Sequence, residues 1–287
     1  MIWLLFSFLA AFFNSLLAVF SKKALLKADP YLVIFSQRFL SILVLAPLLF
    51  FIDIPTLGNQ FWMALVINVV LNLINWILFM YAIKISDLSL VAPLVTLTPL
   101  FLLLTSPFII GEIPTYLGMA GVLLIVVGSY VLNIKKSEKG LLAPFKSLLK
   151  QKGPRIMILV AFIWSITSVY DKIGVQNSSP LFWVIAMNGF SACLMLPLVW
   201  NLSKNIKVQV RNTWKLLLGV GFANITLLYF QFTALTLTLV SYVISIKRTS
   251  AIFSVIFGFF IFKEKGIKER LLGAVIMVGG VVLITLS

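Results

Sequence analysis

The sequence predicts an all-α membrane protein in which ten transmembrane helices form two inverted five-helix repeats. Three observations predict this fold: the chain is too apolar for water, its apolar residues form ten helix-length runs, and its halves resemble each other. Of its 287 residues, 61% are hydrophobic and 11% charged, with a mean hydropathy of +1.12. Soluble proteins average roughly 45–50% apolar and about 25% charged residues. A soluble domain, a disordered chain and a disulfide-stapled module are therefore excluded.

The ten apolar runs are each close to the ~20 residues that a helix needs to cross a ~30 Å hydrocarbon layer. They are continuous rather than alternating, which favours helices over the strands of a barrel. The first run lacks a preceding basic residue and a following cleavage site, so it is not predicted to be a signal peptide. The predicted spans are 2–20, 31–52, 61–83, 88–110, 114–134, 155–175, 180–201, 213–236, 238–262 and 267–286.

The longest polar interval, 135–154, separates the two halves of the chain. It carries six lysines, and its large apolar residues would share one helical face. This pattern predicts a short basic amphipathic helix on an anionic membrane surface. The predicted organisation is a first five-helix repeat at 1–134, a basic cytoplasmic connector at 135–154 and a second repeat at 155–287.

The two halves coincide at residue types that are uncommon in such an apolar chain. Because five is odd, a second copy of five helices must enter the membrane from the opposite side, as in the inverted repeats of many transporters. At an offset of 150 the coincidences include Lys22/Lys172, Pro30/Pro180 and Pro47/Pro197, and at an offset of 152 they include Asn72/Asn224, Glu112/Glu264, Gly121/Gly273 and Gly128/Gly280.

The distribution of basic residues supports the inversion. The formal net charge is +15, and 19 of the 23 Lys and Arg residues fall in the intervals after odd-numbered spans. Only Lys172 is assigned to the other face. Basic loops stay in the cytoplasm, so the odd-numbered loops are predicted to be cytoplasmic and both termini outside, in a multi-pass protein of the cytoplasmic membrane. The membrane accounts for the basic charge, and no nucleic-acid partner is expected.

Lys247 and Arg248 are the strongest candidates for a binding site. Lys247 is the tenth residue of the ninth span, ~15 Å deep at ~1.5 Å per residue, where charges are costly and mark substrate pathways. Arg would hold a carboxylate or phosphate in bidentate fashion, and Lys would add a point charge. The alternative is a buried salt bridge. Its possible acids all lie near predicted helix ends: Asp87, Asp171, Glu112 and Glu264.

Arg38 is a weaker candidate of the same kind, about 12 Å into the second span. Its repeat partner is Asn188. Two interpretations stay open: Arg38 contacts substrate, or it donates hydrogen bonds between helices.

Amides form a second candidate group. Asn68, Asn72 and Asn75 share one face of the third span, and Asn72 has Asn224 as its counterpart. At membrane depth amides either line a wet cavity or join helices, and both interpretations stay open. The candidate substrate-binding residues of this group are Asn72, Asn75 and Asn224, with Tyr229 of the eighth span and Asn14 of the first.

Several kinds of chemistry have no residues to perform them. There is no histidine, and the single cysteine, Cys193, has no partner for a disulfide or a metal site. No Walker-type nucleotide loop occurs. No catalytic residues, cofactor or metal are therefore expected. No Asp or Glu is predicted at mid-depth, which favours exchange or facilitated diffusion over proton symport. Glu112 and Glu264 each precede a helix, where a carboxylate favours the free amides of the helix N-terminus.

Three features carry a family resemblance. They are the repeat itself, the Gly111–Glu112 segment with its equivalent Phe262–Glu264, and the glycine spacing that follows each segment. Over nearly its whole length the chain resembles the EamA-type members of the drug/metabolite transporter superfamily. The resemblance implies ten helices built as five plus five, and transport of small metabolites by alternating access.

Within that superfamily, Lys247 and Arg248 look like the Lys-Arg pair with which sugar-phosphate translocators hold phosphate. Those proteins add a third basic residue on the fourth helix, where this chain has Val95 and Thr96. The drug-exporting relatives carry a glutamate in the first helix, where this chain has Asn14. Proton-coupled export of cations is therefore not implied.

The expected function is secondary transport of a small polar, anionic metabolite across the cytoplasmic membrane. The cavity is expected between the halves, lined by spans 1, 3, 4, 6, 8 and 9, with spans 5 and 10 as peripheral braces. The expected partners are the metabolite and the lipid bilayer, with the protein a monomer or homodimer and not an enzyme. The alternative is a lipid-headgroup flippase or a non-transporting membrane protein of the same fold.

Overall fold

The computed structural model describes residues 1–51, 54–86, 91–133, 151–262 and 267–287, which are predominantly helical. Two short 3₁₀ segments, Ala46–Phe50 and Ala92–Leu97, extend α2 and precede α4. The α-helices are α1 (Ile2–Ala24), α2 (Pro30–Leu45), α3 (Phe61–Ile85), α4 (Thr98–Ile110), α5 (Tyr116–Asn133), α6 (Lys152–Gln176), α7 (Pro180–Leu202), α8 (Ile206–Leu237), α9 (Val240–Lys247), α10 (Ser250–Phe262) and α11 (Ile267–Thr285).

Eight segments of the described chain are long and apolar enough to cross a membrane, and α5 and α11 supply two shorter apolar helices. This confirms the predicted all-helical membrane fold. Helix starts follow local capping: Asp29 and Ser179 accept hydrogen bonds from the backbone N–H groups of Leu32 and Phe182, each with proline at the next position. The connector falls mostly outside the described residues, and its last three residues belong to α6.

The fourth and ninth spans are both interrupted, at equivalent places. The fourth changes from 3₁₀ to α-helix between Leu97 and Thr98. The ninth is broken between α9 and α10, where Arg248 and Thr249 donate 3₁₀-type bonds three residues back. At the offset of 152, Leu97 corresponds to Thr249. Prolines explain the interruption of the fourth span, whereas the ninth span has none, and its break was not predicted.

The packing follows a pseudo-two-fold relation between the halves. The helix α1 packs along α8, and its equivalent α6 packs along α3, the equivalent of α8. The helices α2 and α7 pack on each other, as do α5 and α11.

Glycines show that equivalent helices run in opposite directions. A Cβ on Gly121 would lie 2.7 Å from the Gly280 carbonyl oxygen, and a Cβ on Gly128 would lie 2.7 Å from that of Gly273. Ascending positions on α5 therefore meet descending positions on α11. Because these two helices are repeat equivalents, their antiparallel contact is what an inverted repeat requires.

The two ends of the bundle differ, and the contacts identify which connections share an end. At the closed face, defined by both chain termini, Tyr242 stacks on Trp3 with ring centroids 6.3 Å apart and bonds Ser287. At the open face, defined by the α1–α2 and α7–α8 connections, Asp29 accepts a hydrogen bond from Gln209.

Candidate functional site

A central cavity of about 640 Å³ lies between the two halves. Its lining includes Leu25, Pro30 and Ile83, which lie where α1, α2 and α3 meet the open face. Residues of the second and seventh spans, Arg38 and Met187, also line it, in addition to the spans expected from the sequence. No described residue of α5 or α11 lines the cavity, in agreement with their expected peripheral place.

Lys247 and Arg248 both line this cavity, at the break between α9 and α10. Lys247 Nζ donates a 2.7 Å hydrogen bond to Gln231 Oε1 on α8. The Nε atom of Arg248 is buried without a hydrogen-bond partner. Among the described residues, no carboxylate lies within ion-pair distance of either cation, so the alternative of a direct salt bridge is not realised in that part of the chain. A buried N–H without a partner is costly, and the rest of this partly exposed side chain lines the cavity.

Arg38 belongs to the first repeat, on α2, whereas Lys247 and Arg248 belong to the second, and it also lines the cavity. Its Nη1 donates a 3.2 Å hydrogen bond to Asn188 Oδ1, its own repeat partner on α7. Its Nε is buried without a partner. Arg38 thus joins two helices, as one of the two interpretations expected, and the contact with substrate stays a prediction.

Asp171 is a cavity residue that the sequence reasoning missed. It lies on α6, is 8% exposed and lines the cavity. Its Oδ1 accepts hydrogen bonds of 3.0 Å from Asn68 Nδ2 and from Trp183 Nε1. Asp171 lies five residues before the end of α6 at Gln176, close to where the predicted span placed it, but its burial and its place in the cavity lining were not expected.

Three of the predicted amides line the cavity, and two of them, Asn14 and Asn224, also join helices. Asn14 Nδ2 donates a 3.0 Å bond to Ser250 Oγ, at the first residue of α10. Asn72 bonds Asn68 within α3, and Asn224 bonds the Gln37 carbonyl oxygen and Ser41 on α2. These contacts fix the walls of the cavity next to the cations.

The two remaining predicted site residues lie elsewhere. Asn75 is fully buried, and its Nδ2 bonds the Val160 carbonyl oxygen at 3.2 Å, joining α3 to α6. Tyr229 is 42% exposed on α8, beside Phe230 and outside the cavity lining. Periodicity places residues on a helix, but it did not identify which side of α8 faces the cavity.

The closed face is sealed by a large apolar cluster. Its largest members, Phe61 of α3, Trp183 of α7 and Phe232 of α8, are each less than 2% exposed. Further members come from α9, including Val240 and Val243. The cavity therefore ends against a packed core on this side.

A buried ion pair lies beside this seal and ties four helix ends together. Glu112, between α4 and α5, pairs with Lys172 of α6. The second carboxylate oxygen of Glu112 accepts the Val240 N–H at 2.9 Å, and Lys172 Nζ donates to the Thr238 carbonyl oxygen at 2.6 Å. Two expectations are thereby corrected. Glu112 caps α9 rather than the helix that follows it, because Thr115 caps α5. Lys172 belongs to the membrane-spanning helix and not to a loop.

The inverted bundle with a cavity between its halves defines a membrane transporter architecture. The model of the EamA-like transporter family matches residues 1–134 and 151–286. The chain therefore belongs to the EamA-like transporter family, a member of the drug/metabolite transporter superfamily with one family domain in each half.

One solved structure, described only as a crystal structure of a protein, matches this chain with a TM-score of 0.76. The match covers 99% of this chain and 96% of the other at 17% identity, and it concerns the fold alone. A comparison with curated proteins gives no significant match.

Proposed function

We propose that this membrane transporter carries a small polar, anionic metabolite across the cytoplasmic membrane by alternating access. The observation that supports the substrate class is the charge of the cavity. Among the described residues, three cations, Arg38, Lys247 and Arg248, line it against one carboxylate, Asp171. A surplus of positive charge at the centre of a bundle favours an anion there. Both arginines and Lys247 line the cavity, where a ligand would contact them.

Each residue has a proposed task. Arg248 and Lys247 bind the anionic group of the substrate, and Asn72 and Asn224 contact its polar remainder. Asn14 holds the first turn of α10 so that the break between α9 and α10 stays open to the ligand. Arg38 adds charge from the other repeat, while Asp171 limits the surplus. Asn75 is proposed to brace α3 against α6, and Tyr229 is given no substrate contact.

The open and closed faces are proposed to be the cytoplasmic and outer sides, respectively. The charge distribution supports this, since basic loops belong in the cytoplasm. Outward opening then requires the apolar seal and the Glu112–Lys172 pair to separate, while the cations keep the substrate midway. Because Asp171 lies in the cavity, the case for exchange over proton symport no longer holds.

Binding and transport test the proposal separately. Anionic metabolites that bind the purified protein raise its melting temperature, because a ligand of the folded state stabilises it. Arg248→Gln is expected to weaken that binding at least about tenfold, since a charge-assisted hydrogen bond contributes ~1.5–3 kcal/mol. The matched control is Lys84→Gln, which removes one exposed cation outside the cavity.

Transport is measured in proteoliposomes with the stabilising metabolite inside and outside. We expect the parent protein to catalyse saturable exchange of the metabolite. Lys247→Gln and Arg248→Gln should abolish this exchange, and Lys84→Gln should preserve it. Full exchange in both cavity variants would refute the proposed site. Movement of labelled phospholipid without metabolite exchange would identify a flippase, and chemical conversion of the metabolite would identify an enzyme.

A further inference from the structure

A second cavity of about 450 Å³ lies on the outer surface of the bundle, between α2, α7 and α8. It shares no lining residue with the central cavity, because the two are on opposite sides of α2. Its lining is mostly apolar. The hydroxyl of the lining residue Ser36 donates a 2.7 Å hydrogen bond to the Leu32 carbonyl oxygen within α2. We call it the lateral groove; its lining residues include Phe35, Phe39, Trp200, Val210, Trp214 and Leu218.

The lateral groove lies toward the open face. Its lining comes from the first turns of α2 and α8 and from the last turns of α7, all of which meet that face. The helix α8 has 32 residues, or ~48 Å, which exceeds the ~30 Å hydrocarbon layer. Because its first turns carry the exposed Lys207 and Arg211, we infer that this end of α8 reaches the headgroup region of the bilayer.

A row of cations runs beside the lateral groove. Lys207, Arg211 and Lys215 are spaced four residues apart on α8, so they share one helical face, and all three are exposed. Each of these cations directly follows a groove residue of the same helix: Ile206, Val210 and Trp214. Row and groove meet directly, since Lys215 Nζ lies 5.4 Å from the centroid of the Trp214 ring.

The nearby carboxylate does not neutralise this row. Asp29 accepts hydrogen bonds from Ser203 Oγ at 2.8 Å and from Gln209 Nε2 at 2.9 Å. Among the described residues, none forms an ion pair with the three cations. A predominantly apolar groove, bordered by cations that form no ion pair among the described residues, matches an acyl chain joined to an anionic headgroup.

We propose that the lateral groove binds one anionic phospholipid of the leaflet at the open face. An acyl chain fills the groove between α2, α7 and α8. The phosphate and headgroup lie on the row formed by Lys207, Arg211 and Lys215. The site is separate from the central cavity, so the lipid is a bound partner of the fold and not the transported substrate.

The test compares phosphatidylglycerol with phosphatidylcholine of the same acyl chains, added to the purified full-length protein in detergent. Phosphatidylglycerol is expected to raise the melting temperature more. Lys207→Gln/Arg211→Gln is expected to lose at least half of that difference. The control Lys27→Gln/Lys84→Gln removes the same charge from exposed lysines outside the groove and is expected to keep it. Equal losses in the two double variants would overturn the proposal, because surface charge alone would then explain the effect.

A second variant tests the groove itself. Val210→Trp fills it from an exposed wall position and is expected to reduce the number of phosphatidylglycerol molecules retained in native mass spectrometry by one. Native mass spectrometry counts the lipids retained by folded protein, so the result remains interpretable if part of the Val210→Trp preparation is unfolded. Unchanged lipid retention would overturn the proposal. A concentration-dependent dimer that Val210→Trp abolishes would place a second copy of the chain in the groove and would overturn it as well.

Discussion

Two neighbouring glycines of α11 offer a direct test of how the halves meet. A Cβ on Gly280 would lie 2.6 Å from the Gly121 carbonyl oxygen and 2.9 Å from the Ile125 backbone nitrogen. A Cβ on Gly279 would meet nothing within 4 Å. Gly280→Ala must therefore push α5 and α11 apart, whereas Gly279→Ala adds its methyl group to open space.

The difference between the two variants isolates this packing. Both replacements gain the same ~1 kcal/mol of helix propensity, so that contribution cancels. Overpacking against backbone costs ~1–3 kcal/mol. At about 2–4 °C per kcal/mol for a chain of this order of size, Gly280→Ala should melt several degrees below Gly279→Ala. Tryptophan fluorescence during heating, in one detergent and at several scan rates, measures the difference.

Two results would refute the reasoning. Equal melting temperatures for Gly279→Ala and Gly280→Ala would mean that α5 and α11 do not approach as closely as described. A Gly280→Ala loss that is absent in Gly128→Ala would contradict the pseudo-two-fold relation, because Gly128 is the repeat partner of Gly280 and its Cβ would meet the Gly273 carbonyl oxygen at 2.7 Å.

Three further predictions concern the helix ends. Lys172→Met leaves the partly buried Glu112 carboxylate unpaired and should destabilise the protein by up to ~3–5 kcal/mol. Adding Glu112→Gln should recover part of the loss in thermal unfolding, and strictly additive losses would contradict the pairing. Asp29→Ala should cost more than the ~1 kcal/mol expected for a lost N-cap, because Asp29 also accepts from Ser203 and Gln209; a loss no larger than that of Ser179→Ala would argue against these bonds. Asn205 has a φ of 52°, so Asn205→Gly should melt within a degree of the parent and Asn205→Val should melt lower; the reverse order would exclude the left-handed turn before α8.

The sequence was sufficient for those parts of the fold that hydrophobicity and symmetry determine. Ten apolar runs, a duplicated pattern and a one-sided distribution of cations led to the inverted bundle. Burial also explains why Lys247 and Arg248 were found: a charge far from either membrane surface has few places to lie except a cavity. The same reasoning placed α5 and α11 at the periphery, since glycine stripes favour close helix pairs over cavity walls.

The sequence was insufficient where the outcome depends on contacts between distant segments. The partner of Glu112 is 60 residues away on α6, and nothing in the local pattern of either residue identifies it. Asp171 lies near the end of α6, as the predicted span placed it, but only the packing of the bundle shows that it is buried and lines the cavity. Tyr229 illustrates the limit of periodicity, because in an apolar helix both faces carry large side chains and only packing distinguishes lipid from cavity.

The candidate site is built on symmetric positions that carry asymmetric chemistry. Five pairs of repeat partners line the cavity with both of their members. They are Asn14 and Trp164, Ser21 and Asp171, Gln37 and Met187, Asn72 and Asn224, and Phe79 and Gln231. The backbone therefore places both repeats around one centre in the same way. The charges do not follow that symmetry.

Lys247 and Arg248 correspond to Val95 and Thr96, and Arg38 corresponds to Asn188. Two demands on a carrier explain this division. Exchanging the conformations of two equivalent repeats opens opposite sides of the bundle, which requires a symmetric frame. A ligand bound in both states needs the same charged groups each time, which requires a single set of cations near the centre. Moving the pair to the fourth span, with Val95→Lys/Thr96→Arg in a Lys247→Val/Arg248→Thr background, should therefore restore measurable anion binding, and a complete failure of the folded variant to bind would show that the frame is less symmetric than its lining residues indicate.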